Sequence, residues 1–186
     1  MPFVADGSLS VFYQNTYREK LERATYVYPA AGNCGWSGVT LSWEWQCESI
    51  HNMDGNPTRG ISVAADLDGY PIVAFQYGLD PGPGALAVAR PVAAPGVDSP
   101  GNCGVGNAWH CEIVDSAGAY LTEADSVSIA VDSLGTSFVG YHERNDYPFP
   151  VEHNLKMATL PGPVIFIDGF ESGGTSAWSV TAVPVK

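Results

Sequence analysis

One skeleton recurs three times along this chain and limits its fold more than any other feature. A glycine in a turn (Gly7, Gly69, Gly135) is followed six residues later by an aromatic (Tyr13, Phe75, Tyr141). After a variable loop comes a leucine with an alanine three residues on: Leu21 and Ala24, Leu86 and Ala89, Leu155 and Ala158. The glycines stand 62 and 66 residues apart. Each interval has room for about four strands, and a four-stranded unit repeated at that period is the mark of a propeller blade.

The segments between the turns read as strands. Ser8 to Gln14 alternates Leu9, Val11 and Tyr13 with polar or small residues, the period of a half-buried strand. Gly60 to Asp66 is an apolar run that returns through Asp66-Leu67-Asp68-Gly69 to Pro71–Tyr77, a hairpin. Lys20–Tyr28 is a further strand, although its Leu21/Ala24 spacing also suits a helix. The equivalent Leu86–Val92 contains Pro91, which favours an edge-type strand. Ala108–Val114 completes the second copy, and Val127–Asp132, Ser137–His142 and Leu155–Thr159 make the third. Leu41, Trp43, Trp45 and Cys47 keep period two and share one face. Met1–Asp6 reads as the end of a strand whose repeat lies upstream, and the repeat stops at Pro161.

The expectation is therefore an all-β chain of about three tandem four-stranded antiparallel blades. The repeat region spans 1–160, in copies of about 1–58, 59–124 and 125–160, and 161–186 forms a distinct tail. Propellers close with about four to eight blades. Three make a partial one, with an unpaired edge strand at each end as a route to self-association.

The four cysteines repeat the same logic. Each pair opens with G-N-C-G (Gly32–Gly35, Gly101–Gly104) and closes with Trp-x-Cys-Glu (Trp45–Glu48, Trp109–Glu112). Pairing within each copy predicts disulfides Cys34–Cys47 and Cys103–Cys111. The rival is a zinc site of four thiolates, but such sites bring their ligands in closer pairs than the twelve and seven intervening residues found here. Disulfides call for an oxidising compartment, and so for a secreted or cell-surface protein. The chain shows no signal peptide at Met1, which suggests that it begins inside a longer gene product.

The net charge of −12 argues against nucleic acid and anionic membrane as partners, since both need a basic footprint. No apolar run reaches the roughly 18–20 residues of a spanning helix.

The copies V-S-I-A-V-D-S-L-G-T-S-F-V-G-Y…N-L-K-M-A and G-N-C-G…W-H-C-E-I-V-D resemble the repeat of bacterial secreted, sialidase-like β-propeller proteins. That resemblance covers Met1 to about Thr159 and implies a fold and an extracellular location, without an activity. Val164–Val180, with D-G-F-E-S-G…W-S, is similar to the C-terminal tail of many exported Gram-negative proteins.

Chemistry is sparse. Asp66, Asp68 and Asp132 sit in the turns; Asp-x-Asp-Gly opens like a calcium loop but lacks the later ligands, and Asp is also a favoured turn residue. A sialidase-like hydrolase, the alternative to a binding module, needs three converging arginines, and Arg18, Arg23, Arg59, Arg90 and Arg144 are available. Glu48 and Glu112 are repeat-equivalent and read as scaffold. His142 and His153 flank the longest loop of the third copy and are candidate ligand contacts; no metal or other cofactor is assigned. The better lead is aromatic. Trp36 and Trp43 fall outside the shared motif, and with Tyr26 and Tyr28 they suit a stacking platform for sugar. Packing around a longer disulfide loop explains the same residues. The expected function is an exported, non-catalytic module that binds glycan or protein.

Overall fold

A computed structural model describes residues 2–5, 8–28, 32–53, 60–77, 85–94, 97, 100–115, 126–145, 152–160 and 166–169. Among them are thirteen strands and one short 3-10 turn, Val105–Asn107. The first sheet contains β1 (Pro2–Ala5), β2 (Ser8–Asn15), β3 (Lys20–Tyr26), β4 (Cys34–Ser37) and β5 (Ser42–Asn52), in the order β1-β2-β3-β5-β4. The second is the meander β6 (Gly60–Ala65), β7 (Pro71–Tyr77), β8 (Ala85–Pro91) and β9 (Trp109–Asp115). The third is the meander β10 (Val127–Val131), β11 (Ser137–Asn145), β12 (Glu152–Leu160) and β13 (Phe166–Gly169). The protein is thus all-β, built of antiparallel sheets, one per copy of the repeat.

Four sequence expectations are corrected. Pro2–Ala5 pairs with β2 in register Phe3↔Ser10, so it belongs to the first sheet and not to an upstream repeat. β3 and β8 are interior strands rather than edges; Pro91 is tolerated because it is the last residue of β8. Leu41 lies in a turn with φ 53°, so the one-face alternation begins only at Trp43. Phe166–Gly169, placed beyond the repeat boundary at 160, pairs with β12 and supplies the fourth strand of the third sheet. The rest of the tail, 170–186, lies outside the described residues.

The sheets stack face to face in chain order, with β6 against β1 and β10 against β6. Strand alternation explains how the second sheet serves two neighbours. Val73, Phe75, Ala87, Ala89 and Trp109 point one way and join Phe12, Leu21, Ile50 and Met53 of the first sheet. Ile72, Ala74, Leu86, Val88 and Val114 point the other way and join Ile129, Val139, Tyr141, Ala158 and Leu160 of the third. This is why β7 is buried from Pro71 to Gln76 without alternation. Each fully buried Leu or Phe contributes about 1.5–3 kcal/mol.

Polar groups stitch the second junction. Asp115 of β9 accepts a hydrogen bond from the Tyr141 hydroxyl at 2.5 Å and lies 3.6 Å from the Lys156 ammonium, in a pair whose side chains are only 9% and 10% exposed. The Ile129 N–H donates to Ser62 Oγ at 3.1 Å, again from the third sheet to the second.

Both predicted disulfides are present, Cys34–Cys47 and Cys103–Cys111. The G-N-C-G motif is explained by its surroundings. Asn33 and Asn102 each bracket the second cysteine, accepting from its N–H at 2.6 and 2.7 Å and donating to its carbonyl at 2.9 and 2.8 Å. Gly35 (φ 67°) and Gly104 (φ 77°) lie under the indoles of Trp45 and Trp109, where a Cβ would stand 2.4 and 2.8 Å from the ring. Loops of this length contribute about 2.5–3 kcal/mol per bridge in the chain-entropy account.

Candidate functional site

In the first copy ten residues separate Cys34 from Trp45, where the second copy has five between Cys103 and Trp109. The extra length forms β4 and the turn from Gly38 to Leu41, in which Ser37 Oγ accepts from the N–H groups of Val39 and Thr40. β4 then lies along β5 with Trp36 opposite Trp43. This hairpin has no strand counterpart in the second sheet, where only the bridge Cys103↔Trp109 remains.

The hairpin and the end of the neighbouring β3 carry the aromatic candidates on one strip. The Trp36 and Trp43 rings meet edge to face at 5.6 Å, Tyr26 meets Trp45 at 5.3 Å, and Tyr26 lies 6.4 Å from Tyr28. Trp43, Trp45 and Cys47 alternate on the face turned away from the second sheet, and Tyr26 is the cross-strand partner of Trp45. Trp36, Trp43, Tyr28 and Tyr26 are 54%, 47%, 49% and 40% exposed. Four large rings therefore face solvent together. Chemically such a strip offers flat apolar faces for the C–H side of a sugar ring, with hydroxyl and indole N–H groups at the margins.

The other candidates lie elsewhere in the fold. His142 is half-buried and pairs with Leu155 on the β11–β12 ladder, and His153 pairs with Arg144, which sets the two histidines one diagonal step apart across the ladder. Residues 146–151 of the loop between them lie outside the described residues. Arg23 donates to Ser10 Oγ at 3.1 Å, pairs with Glu48 at 3.5 Å and sits over the Phe12 ring. Arg90 reaches the hydroxyl of Ser137 in the third sheet at 3.4 Å, and burial pulls its pKa down. Two of the five arginines are thus engaged in scaffold contacts; Arg59 lies outside the described residues.

The turn aspartates hold their own backbone. Asp66 Oδ1 accepts from the N–H groups of Asp68 and Tyr70 at 3.0 and 2.7 Å, and Asp132 Oδ1 from Leu134 and Thr136 at 2.8 and 2.9 Å. No group of three or more His, Cys, Asp or Glu able to hold a metal ion occurs among the described residues.

One polar cluster escaped the sequence reading. Glu22, 5% exposed, accepts from the Tyr13 hydroxyl at 2.8 Å and from Asn15 Nδ2 at 2.9 Å, on the outer face of the first sheet. Strand alternation could have brought these residues together, but only the β2–β3 register pairs Tyr13 with Glu22. Burial, and then the hydrogen bond and the charge of Glu22, push the Tyr13 pKa up to about 12. The native state thus holds this proton more tightly than the unfolded chain, whose tyrosine titrates near pH 10. The Tyr13 contribution to stability is full below about pH 10 and is lost as pH rises toward about 12. Subtracting the phenolate titration of Tyr13→Phe from that of the wild type should show one late group with a midpoint near 12. A midpoint near 10 would mean that the contact with Glu22 opens in solution.

No protein-family model matches the sequence, and no curated protein does. Among solved structures the fold is similar to a fucose lectin from Kordia zhangzhouensis in complex with methyl-fucoside, with a TM-score of 0.49 and 10% identity, over 90% of this chain and 95% of that one. A likeness of that size assigns this chain neither family nor ligand.

Proposed function

We propose that the protein is an exported, non-catalytic glycan-binding module built of propeller-type blades, and that the Tyr26–Tyr28–Trp36–Trp43 strip is its sugar-contacting surface. One observation carries the reading: the blade itself does not call for these rings. Aligned on the G-N-C-G and Trp-x-Cys-Glu motifs, the same positions of the second copy hold Pro91, Ala93, Val105 and Asn107. Four exposed aromatics added to the first copy, two of them on a hairpin the second sheet lacks, are a local elaboration and suit a ligand rather than the scaffold. The two disulfides fit export to an oxidising compartment.

The test is a glycan array followed by titration of the best ligand. The wild type binds a carbohydrate, and Trp43→Ala weakens binding on the order of 30-fold, the loss expected of an aromatic anchor worth about 2 kcal/mol. Tyr17→Ala, at a 94% exposed position outside the strip, leaves binding unchanged. A wild-type protein that binds nothing on the array sinks this reading, as does an unaffected Trp43→Ala.

A further inference from the structure

The three sheets stack in the same sense, so each has one face toward the preceding sheet and one toward the next. Equivalent residues report which faces are filled. Val73 and Val139 are fully buried against the preceding sheet, as are Phe75 and Tyr141. Their counterparts Val11 and Tyr13 lie on the outer face of the first sheet, which no other sheet of the described residues covers, and are only half-buried. On the opposite faces Leu21 and Leu86 are 0% exposed against the next sheet, whereas their counterpart Leu155 is 72% exposed. Ser128 corresponds to Ser62, whose hydroxyl accepts a backbone N–H across the filled junction; Ser128 is exposed. The stack therefore ends in two unlike faces, each of a kind already buried twice inside the chain.

Gly140 adds an independent observation. It lies inside β11, where glycine costs about 0.5–1 kcal/mol, yet a Cβ there would meet nothing within 4 Å. Its counterparts Phe12 and Ala74 pack at the two filled junctions. In the first junction Phe12 meets Trp109 edge to face at 6.3 Å. On the free face of the first sheet the counterpart of Trp109 is Trp45. A residue without a side chain on one end face thus answers a large ring on the other, and close backbone approach is what glycine inside a strand permits.

We infer that two copies of this chain associate head to tail, the Val11–Tyr13 face of each covering the Leu155 face of the other, to close a ring of six sheets. Each new junction continues the packing seen twice within the chain. The number follows from closure: the three sheets of the described residues fall short of the about four to eight blades that rings of this kind hold, two copies of them fall within that range, and three copies exceed it. A head-to-tail contact that failed to close would grow into a filament. The inference rests on the blade reading above and not on the sugar. The positions equivalent to Tyr28, Trp36 and Trp43 remain exposed at the filled first junction, Val105 by 69%, and the equivalent of Tyr26, Pro91, is half-buried there, so ring closure leaves three of the four rings open.

Sedimentation equilibrium without sugar tests the inference. The 19.7 kDa chain is expected to run at twice its mass. Leu155→Arg and Val11→Arg, which spoil one end each, should both run as folded monomers with unchanged far-ultraviolet circular dichroism. Mixed one to one they should form a heterodimer, because one good junction survives. Leu155→Ser and Val11→Ser, milder changes, should dimerise measurably more weakly than the wild type and serve if an arginine variant fails to fold. A monomeric wild type overturns the proposal, as does a larger assembly. A dimer broken by only one of the two variants means a like-with-like contact and overturns it too. Loss of glycan binding with the dimer intact would bear on the sugar reading alone.

Discussion

Replacing Asp115 with alanine is expected to destabilise the fold by about 3–5 kcal/mol, read as a fall in the urea midpoint at constant protein concentration. Asp115 stands where the second and third sheets meet, accepting from Tyr141 and facing Lys156. The variant takes the carboxylate away from an ammonium whose side chain is only 10% exposed, so the desolvation cost stays while the attraction goes. The paired replacement Asp115→Leu with Lys156→Met is expected to recover most of that loss, because an apolar pair of similar volume removes both charges from the junction. A loss below about 1 kcal/mol for Asp115→Ala would place the pair in contact with water, as exposed ion pairs contribute no more than that.

Trp109→Ala is the second large effect, about 3–5 kcal/mol by the same measurement. The indole is 1% exposed, meets Phe12 of the first sheet edge to face and covers Gly104. Its removal opens a cavity between two sheets and uncovers the disulfide turn. The motif twin Trp45 lies on a face no sheet of the described residues covers, so Trp45→Ala should lose well under half as much in a monomeric background such as Leu155→Arg. Equal losses for the two tryptophans would show that the disulfide loop, and not the junction, sets the cost.

Much of the fold was legible because its signals are local. The Asp-x-x-Gly turns at Asp66 and Asp132, the disulfide pairing and most strands follow from turn chemistry, period-two alternation and self-similarity among the copies. The errors lie in the shortest strands, β1, β4 and β13, each of four residues. Nothing in P-F-V-A marks it as the opening strand of the first sheet, nor F-I-D-G as the closing strand of the third, because a four-residue strand is defined by its neighbour. The β4 hairpin was missed for the same reason, its turn holding Leu41 at positive φ, which composition does not announce. Of the site, the four aromatics were named from their departure from the repeat. That they form one exposed strip followed only from the register Trp36↔Trp43 and Tyr26↔Trp45. The same register sets His142 and His153 one diagonal step apart on the β11–β12 ladder.

Repetition in the sequence determined the all-β class, the antiparallel turns and the two disulfides, since each depends on residues close along the chain. The tertiary structure alone decided which face of each sheet is buried. Leu21, Leu86 and Leu155 occupy one position of one motif, yet the first two are sealed and the third is 72% exposed. Burial belongs to the surface that arrives opposite a side chain, and no property of the leucine records whether a further sheet is there to meet it.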